Sequence, residues 1–200
     1  AQAKQGGMVR LTWQPPSDTS VSGYYLYRSH SPSSDPQIAT KINTNLITTL
    51  VFEDLPPTDG TWYYHVSTID SADNESELSN QALAVSDSTA PRAVSIDYNS
   101  QGPYDPAGGR MAPATVNVLL TVSEALPATP SLSIVPQGGI PLAVALTKDT
   151  DLTYTGFFVI SSVTPGGTAY AIFSSRDRVG NRGTEIDDGA SIRIDTAGPA

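Results

Sequence analysis

The sequence predicts an all-β protein made of two tandem seven-stranded β-sandwiches, and three observations lead to this prediction. Apolar and polar residues alternate in short runs, which is the period of half-buried strands rather than of helices. Sixteen Gly and sixteen Pro are spread along the chain and mark frequent turns between those runs. The 200 residues suit two domains of about 100 residues each, and each half is long enough to bury its own core.

A segment that occurs twice supports the division into two domains. An alternating strand that ends in Asp-x-x-(Asp/Gly)-Asn lies at residues 61–74 and again at residues 168–181. The aspartates of the two copies, Asp70 and Asp177, are 107 residues apart. This is the spacing of domains rather than of short repeats.

The joint between the two copies is Asp87-Ser88-Thr89-Ala90-Pro91, and a similar segment starts again at Asp195. We therefore predict a first domain at residues 1–86, a linker at residues 87–91 and a second domain at residues 92–200. Because the joint recurs at the end of the sequence, we expect a third domain to follow in the parent protein.

The composition argues against several classes of function. Without Cys, the chain has no disulfide bonds and no thiol chemistry. The net charge of −9 is opposite to that of a protein that binds duplex nucleic acid, which needs a basic face. No apolar run approaches the roughly 18 residues that cross a bilayer, so we expect no membrane insertion. No signal peptide is seen, and we expect a mature or excised segment located outside the cell or at its surface.

The first half contains five predicted strands, each bounded by Pro, Gly or Ser turn signals. A turn at residues 17–23 separates the first two. The predicted strands cover residues 9–13, 24–28, 51–55, 61–70 and 82–85.

Three ordered motifs and a Tyr-rich penultimate strand resemble a fibronectin type III domain over residues 1–86. The motifs are Leu11-Thr12-Trp13-x-Pro-Pro, Gly23-Tyr24-x-Leu26-Tyr27-Arg28 and Phe52-x-Asp54-Leu55-x-Pro57. The resemblance implies a seven-stranded sandwich that acts as a spacer or a binding module rather than as an enzyme.

The sequence departs from the fibronectin type III pattern at two places. The corner position that is usually Tyr falls on Trp62, so either the indole N–H replaces the phenol as hydrogen-bond donor or Tyr63 takes the role. The chain also starts only a few residues before Val9, so the first strand is short. That strand is either truncated or supplied by another chain, because an unpaired sheet edge is normally covered.

The second half contains seven predicted strands and one long loop, Ser100 to Pro113, that is rich in Gly and Pro. The strands cover residues 92–98, 115–124, 132–135, 142–147, 152–160, 168–177 and 191–195. Their number and spacing favour an immunoglobulin-like sandwich. The segments Thr89-Ala90-Pro91, Val122-Ser123-Glu124 and Asp177-x-x-Gly180-Asn181 resemble those of bacterial immunoglobulin-like domains, which are strung along large surface proteins.

A Ca²⁺ site at the joint is the first candidate site. In a sandwich of this connectivity, Glu124, Asp177 and Asn181 are expected at the pole that receives the linker, which carries Asp87. Ca²⁺ takes six to eight oxygen ligands in flexible geometry, and carboxylate and carbonyl oxygens suit it. The alternative is structural: Asp177 and Asn181 bond turn amides, with Gly180 supplying a positive φ, and Asp87 caps local backbone.

An aromatic face on the first domain is the second candidate. Alternation that points Leu26 inward points Tyr25 and Tyr27 outward, and the neighbouring strand then presents Tyr63 and His65 on the same surface. Such a stripe could bind a sugar ring or a partner protein. The alternative is that these residues form cross-strand pairs that stabilise the sheet.

The long loop is the third candidate, because loops of this length are often functional. Its two large side chains, Tyr104 and Met111, are expected to pack on a following domain or on their own sandwich rather than to bind a ligand.

Catalysis has little support in the sequence. The two histidines, His30 and His65, are not in a metal-ligand spacing such as His-x-x-x-His. Neither a Gly-x-Ser-x-Gly nucleophile motif nor a Gly-rich phosphate loop is present.

We therefore interpret the chain as a non-catalytic extracellular spacer and adhesive segment of a larger surface or filament protein. Its expected partners are neighbouring domains of the same polypeptide or other surface proteins, and the candidate cofactor is Ca²⁺ at the joint. The alternative is a carbohydrate-binding accessory region of a secreted polysaccharide-degrading enzyme, with glycans as the ligand. The aromatic stripe is the feature that discriminates between the two.

Overall fold

The computed structural model describes residues 1–17, 20–32 and 38–197. The chain divides into two compact units, Ala1–Thr89 and Ala90–Ala200, and the division falls within the predicted linker. The prediction of an all-β protein is confirmed. Among the described residues the one helical element is the short 3₁₀ turn Gln5–Gly7. Residues 18 and 19 of the predicted turn after Pro16, and residues 198–200 of the predicted second domain, lie outside the described residues.

The first unit contains two antiparallel sheets. Its strands are β1 (Gln2–Ala3), β2 (Val9–Thr12), β3 (Val21–Ser29), β4 (Thr40–Lys41), β5 (Val51–Asp54), β6 (Gly60–Asp70) and β7 (Ala82–Ser86). One sheet has the order β1-β2-β5 and the other the order β4-β3-β6-β7. All five predicted strands are present, and the two-residue strands β1 and β4 were not predicted. The short first strand pairs with β2 through Gln2 and Ala3.

The core of the first unit lies between its two sheets. Val9 and Leu11 from β2 pack with Leu26 from β3 and with Trp62 and Tyr64 from β6, and all five side chains are buried. On β2 these positions alternate with exposed ones, which is the pattern of a strand with one face on a core. On β3 and β6 the neighbouring Tyr27 and His65 are buried as well. The two sheets therefore form a β-sandwich.

Trp62 resolves the question of which residue makes the corner bond. Its indole Nε1 donates a hydrogen bond to the carbonyl of Thr58 at 2.9 Å, and its ring is buried. The indole N–H is therefore a hydrogen-bond donor at this position, as the first of the two sequence alternatives expected.

A buried ionic network also joins the two sheets of the first unit. Arg28 on β3 donates from one guanidinium nitrogen to both carboxylate oxygens of Asp54 on β5, each at 2.8 Å. Tyr64 on β6 donates to the same carboxylate at 2.9 Å. Burial, together with this hydrogen bond, raises the pKa of the Tyr64 phenol far above its usual value. Removing one partner would leave a buried charge uncompensated. The network therefore stabilises the packing of the two sheets against each other.

The second unit contains eleven strands among its described residues, in two sheets. They are β8 (Ala93–Ser100), β9 (Tyr104–Asp105), β10 (Arg110–Met111), β11 (Ala114–Val122), β12 (Ser131–Pro136), β13 (Leu142–Val144), β14 (Thr147–Lys148), β15 (Thr153–Ile160), β16 (Gly167–Arg176), β17 (Arg182–Gly183) and β18 (Ser191–Ile194). One sheet has the order β14-β15-β11-β8. The other has the order β13-β12-β16-β18-β10-β9, with β17 paired to β16.

The core of the second unit is larger than that of the first and is filled from both sheets. Leu120 on β11 and Phe158 on β15 face Ile134 on β12 and Phe173 on β16, and all are nearly inaccessible to solvent. Each lies at an inward position of an alternating strand. The second unit is therefore also a β-sandwich with a core of its own.

Two predictions for the second unit need correction. The predicted strand 142–147 is two strands in different sheets, because β13 pairs with β12 whereas β14 pairs with β15. The chain crosses between the sheets at Ala145, where Gly156 makes room: an added Cβ would lie 2.7 Å from the Ala145 carbonyl oxygen. A pattern of alternating apolar residues does not reveal such a change of sheet.

The segment from Ser100 to Pro113 is more regular than predicted. Strands β9 and β10 form a hairpin within it, and β10 pairs in parallel with β18. Met111 is buried in the core of the unit, so it is the packing anchor that the sequence analysis expected. Tyr104, however, is half exposed and is not an anchor of this kind.

The described residues include no helix with the length and apolar character that a membrane span requires.

Candidate functional site

The repeated Asp-x-x-(Asp/Gly)-Asn segment forms the same turn in both units. In the first unit, Asp70 Oδ1 accepts hydrogen bonds from the backbone N–H groups of Ala72 and Asn74, and Oδ2 accepts from the Asn74 side-chain amide. The Asp70 N–H donates to the Asn74 carbonyl and closes the turn. The residue before the Asn, Asp73, has a φ of 64°. The backbone of a non-glycine residue rarely adopts this left-handed conformation unless local hydrogen bonds stabilise it.

The turn of the second unit is the tighter and more buried of the two. Asp177 Oδ1 accepts from the backbone N–H groups of Val179, Gly180 and Asn181 at 2.6–2.9 Å, and Oδ2 accepts from the Asn181 amide at 2.6 Å. Asp177 and Asn181 are both buried, and Gly180 has a φ of 103°. The hydrogen bonds of the structural alternative are therefore present at Asp177 and Asn181.

The other predicted ligand of the second unit, Glu124, lies close to Asp177. A carboxylate oxygen of Glu124 is within 4.8 Å of one of Asp177, and Glu124 is half-buried. Glu124 follows Ser123, which exchanges two hydrogen bonds with Arg92 near the start of the unit. Two carboxylates at this distance repel each other unless a cation or donor lies near them.

Asp87, the predicted ligand from the linker, belongs to the first unit. Its carbonyl accepts from the Gly7 N–H at 3.0 Å, and its carboxylate accepts from the Thr89 N–H at 3.1 Å. Asp87 thus caps local backbone, as the structural alternative expected. The assignment of Asp87, Glu124, Asp177 and Asn181 as Ca²⁺ ligands stays a prediction.

The predicted aromatic stripe of the first unit is brought together, but it is not an open surface. Strands β3 and β6 are neighbours, as expected, and Tyr27 lies directly opposite His65. Tyr27 is 7% exposed and His65 2% exposed, however, so the expectation that both face solvent is wrong. Tyr25 and Tyr63 are half-buried. The outer face of this sheet therefore lacks the continuous accessible platform that stacking on a sugar ring requires.

The physical reason is the segment 75–81, which pairs beside β6 and supplies hydrogen-bond partners to both of these buried side chains. The Ser79 carbonyl lies 2.8 Å from His65 Nδ1, and the Ser79 N–H donates to the carbonyl of Val66. The Ser76 N–H donates to Thr68, so the segment extends the sheet along β6. The mostly polar run from Glu75 to Gln81 has no strand-like alternation, so the sequence did not predict that it pairs along the edge of the sheet.

A compact polar cluster lies where this segment meets the aromatic residues. Glu75 accepts hydrogen bonds from the Tyr27 hydroxyl and, at 2.6 Å, from the Ser67 hydroxyl. The Lys41 ammonium lies 3.5 Å from a Glu75 oxygen and 3.5 Å from the centre of the Tyr25 ring. These are an ion pair and a cation–π contact, so the cluster uses its aromatic rings internally.

The pKa shifts in this cluster follow from its contacts. Burial alone would raise the pKa of Glu75, but the hydrogen bonds from Ser67 and Tyr27 and the charge of Lys41 lower it overall. Burial, followed by the hydrogen bond to Glu75, raises the pKa of Tyr27. For Lys41 the effect of burial is opposite, yet the contacts with Tyr27 and Glu75 raise its pKa overall. Each shift favours the charged Lys41 and Glu75 beside a neutral Tyr27, which is a stabilising rather than a catalytic arrangement.

Comparison with known proteins gives structural similarity only. No protein-family model matches the chain. No curated protein matches it in sequence. Similar solved structures include a tetra-tandem repeat from the extending region of a large adhesion protein, with 17% identity and a TM-score of 0.40 over 88% of this chain. Another is a 1.5-MDa bacterial ice-binding adhesin, with 16% identity and a TM-score of 0.41 over 98% of this chain.

A third similar structure is SGBP-B of the Bacteroides ovatus mixed-linkage glucan utilization locus in complex with a mixed-linkage heptasaccharide, with 11% identity and a TM-score of 0.30 over 98% of this chain. The chain spans 43%, 61% and 43% of these three structures in turn, less than two thirds of each. At these identities and TM-scores, the similarity adds no evidence about ligand or activity.

We expect Glu75→Gln to destabilise the first unit in a pH-dependent way. At pH 7 the loss is about 1 kcal/mol, since two hydrogen bonds to a charged group are weakened and the carboxylate is partly solvated. The folded-state pKa of Glu75 lies below its unfolded value. Its contribution is therefore present above about pH 4.3 and is lost as the pH falls through the folded pKa.

Urea unfolding followed by Trp fluorescence measures this effect, because both tryptophans, Trp13 and Trp62, lie in the first unit. The difference between wild type and variant should shrink from pH 7 to pH 3. The exposed neighbour Glu77→Gln serves as the matched control and should change little. A difference for Glu75→Gln that stays constant over this range would contradict the assignment.

Proposed function

We propose that this chain is a non-catalytic structural and adhesive segment of a larger bacterial surface or secreted protein. Its two β-sandwich units would hold neighbouring parts of that protein at a distance and contribute weak contacts with other surface molecules. The observation that carries the proposal is that each unit has a core of its own, filled from both of its sheets. Serial units with separate cores can extend a polypeptide without depending on one another for folding.

The strand orders of the first unit support a fibronectin type III assignment. A three-stranded sheet β1-β2-β5 faces a four-stranded sheet β4-β3-β6-β7, which accounts for seven strands among the described residues. The buried Trp62 indole bonded to Thr58 stands where this class of sandwich carries a corner Tyr. Both features are expected of a spacer module.

The second unit supports an immunoglobulin-like assignment with additions. Its seven longer strands, all except β9, β10, β14 and β17, match the number expected for such a sandwich. The four two-residue strands lie in the hairpin after β8, at the crossing after β13 and beside β16. They lengthen the sheets without changing the two-layer core.

The segment that connects the units is fastened to each of them. On the side of the first unit, Asp59 accepts hydrogen bonds from the Ser88 N–H and from the hydroxyls of Ser88 and Thr89 at 2.8–3.0 Å. On the side of the second unit, Pro91 is buried, and an added Cβ at Gly183 would overlap the Pro91 carbonyl. Each end of the linker is therefore part of the unit beside it, with Ser88 and Thr89 in the first unit and Pro91 in the second.

The expected partners are neighbouring domains of the same polypeptide or other surface proteins, in an extracellular or cell-surface setting. The acidic and Cys-free composition is compatible with that setting. The alternative of an enzyme accessory region depended on an open stripe of Tyr25, Tyr27, Tyr63 and His65. Since this stripe is covered by the segment 75–81, no observation on the first unit favours that alternative.

We also propose that Ca²⁺ binds through Asp87, Glu124, Asp177 and Asn181, as the sequence predicts. The support within the second unit is the proximity of Glu124 and Asp177, whose like charges a divalent cation would offset. Three of the four hydrogen bonds that Asp177 accepts go to Oδ1 and one goes to Oδ2. Because each carboxylate oxygen has about two acceptor sites, Oδ2 is the atom that would contact the ion. These bonds orient the Asp177 carboxylate, as partners of metal ligands commonly do.

The mechanical proposal predicts two separate unfolding events when the chain is stretched between handles by single-molecule force spectroscopy. The contour length should increase by about 31 nm for Ala1–Thr89 and by about 39 nm for Ala90–Ala200, at roughly 3.5 Å per extended residue and less the end-to-end distance of each folded unit. One combined event, or extension without discrete events, would contradict two independent force-bearing units.

The calcium proposal predicts a higher melting temperature in millimolar Ca²⁺ than in EGTA, since a ligand that binds only the folded state stabilises it. Calorimetry of the wild type measures the difference. Glu124→Gln should reduce it, whereas the control Glu185→Gln, at an exposed position of the same unit, should not. Identical melting curves for the wild type in Ca²⁺ and in EGTA would rule out the site.

A further inference from the structure

The outer face of the sheet β14-β15-β11-β8 carries two rows of side chains that the folding of the second unit does not explain. Positions two apart on a strand face the same side, and paired positions on neighbouring strands lie side by side. In one row, Leu119 lies between Asp97 and Thr155. In the next row, Asn117 lies between Asn99 and Phe157.

These two rows line a groove of about 700 Å³. Its edge is lined by Thr147 of β14, which pairs with Thr155 and extends the first row, and by Ala145 just before β14. This volume lies in the range of small-molecule clefts.

The groove has an apolar platform at its centre. Phe157 is 53% exposed and Leu119 is 39% exposed, although the next residue, Phe158, is buried in the core. A single exposed apolar side chain is ordinary on a protein surface. Here the exposed ring lies directly beside Asn117, so an aromatic face and an amide are presented together.

The polar side chains of the groove have hydrogen-bond donors and acceptors that are not used, or only weakly used, within the protein. The Asn117 side chain makes no hydrogen bond with another described residue. Asn99 is approached by Gln101 at 3.5 Å, and Asp97 by Ser95 at 3.4 Å, both at the long limit of a hydrogen bond. An amide offers two donors and an acceptor, so Asn99 and Asn117 can bond a group that both donates and accepts.

The charge of the groove narrows the class of ligand. Asp97 is the one charged side chain among the lining residues that the structure describes, and the chain as a whole has a net charge of −9. An anionic ligand is therefore disfavoured. A neutral sugar ring has an apolar C–H face and an edge of hydroxyl groups, which matches an aromatic platform flanked by amides and one carboxylate.

We propose that this groove binds a neutral polysaccharide, with a pyranose ring stacked on Phe157 and its hydroxyls bonded by Asn117, Asn99 and Asp97. Four strands cross the face at about 4.8 Å spacing, so it is wide enough for two or three successive sugar rings. This site lies in the second unit and is distinct from the covered aromatic stripe of the first. It adds a ligand class to the adhesive role and does not depend on the mechanical one.

Native affinity electrophoresis tests the proposal on the full chain. The gels contain one neutral polysaccharide each: mixed-linkage β-glucan, xyloglucan, galactomannan or dextran. The wild type should be retarded by at least one of them. Phe157→Ala should weaken that binding at least tenfold, and Asn117→Ala should weaken it several-fold. The matched control is Tyr170→Ala, which removes an equally exposed ring, 55% accessible, from the opposite sheet and should bind as the wild type does.

Several results would contradict the polysaccharide proposal. Migration of the wild type unaffected by every polysaccharide would overturn the proposal, and so would equal retardation of the wild type and Phe157→Ala. Stronger retardation by the anionic polymer alginate would overturn the assignment to neutral sugars. Light scattering after gel filtration provides the remaining check: a wild-type dimer that Phe157→Ala dissociates would assign this face to a second copy of the chain instead. Phe157 is half exposed, and circular dichroism melting should confirm that all three variants remain folded.

Discussion

The strict alternation of inward and outward side chains is the constraint on which the rest of this structure depends. In the second unit, Leu120, Phe158 and Phe173 occupy inward positions on three different strands and meet in one core. The first unit does the same with Leu11, Leu26 and other residues from both sheets. Because the side-chain period of a strand is two, a slip of one residue in any pairing would expose these residues and bury their polar neighbours. Each core thus fixes the register of its own sheets, and each register decides which side chains are left for contacts with other molecules.

Polar interactions give each sandwich its specific geometry. In the first unit, the pair Arg28–Asp54, joined by Tyr64, connects the two sheets through a buried carboxylate. In both units, an Asp at the end of a long strand accepts hydrogen bonds from the backbone N–H groups of the following turn. This residue is Asp70 in the first unit and Asp177 in the second. The recurrence of this turn explains why the sequence repeats there, since only a short acceptor side chain followed by a residue that tolerates positive φ can close it. The turn that both copies form therefore accounts for the repeat.

The sequence predicted the strands well and the surfaces poorly, for a definite physical reason. Periodicity reports which side of a strand is apolar, and so Tyr27 and His65 were correctly placed away from the core side of their sheet. It does not report what lies over the other side, and the segment 75–81 buries both residues. The change of sheet after Val144 escaped detection in the same way, since β13 and β14 share one continuous pattern. Conversely, the groove at Phe157 had no sequence signal, because its members come from β8, β11 and β15 and meet only through sheet pairing.

The function proposed for the chain depends on two sandwiches that fold independently, and the most direct measurement is the stability of each unit alone. Residues 1–89 and 90–200 would be produced separately and unfolded in urea with EGTA present, so that both fragments and the full chain are compared without divalent cations. Trp fluorescence follows the first fragment, and circular dichroism follows the second. The account predicts one cooperative transition for each, with the tryptophan midpoint of the first fragment equal to that of the full chain. Loss of cooperative unfolding in either fragment would contradict it, since that unit would then need its neighbour to complete its core.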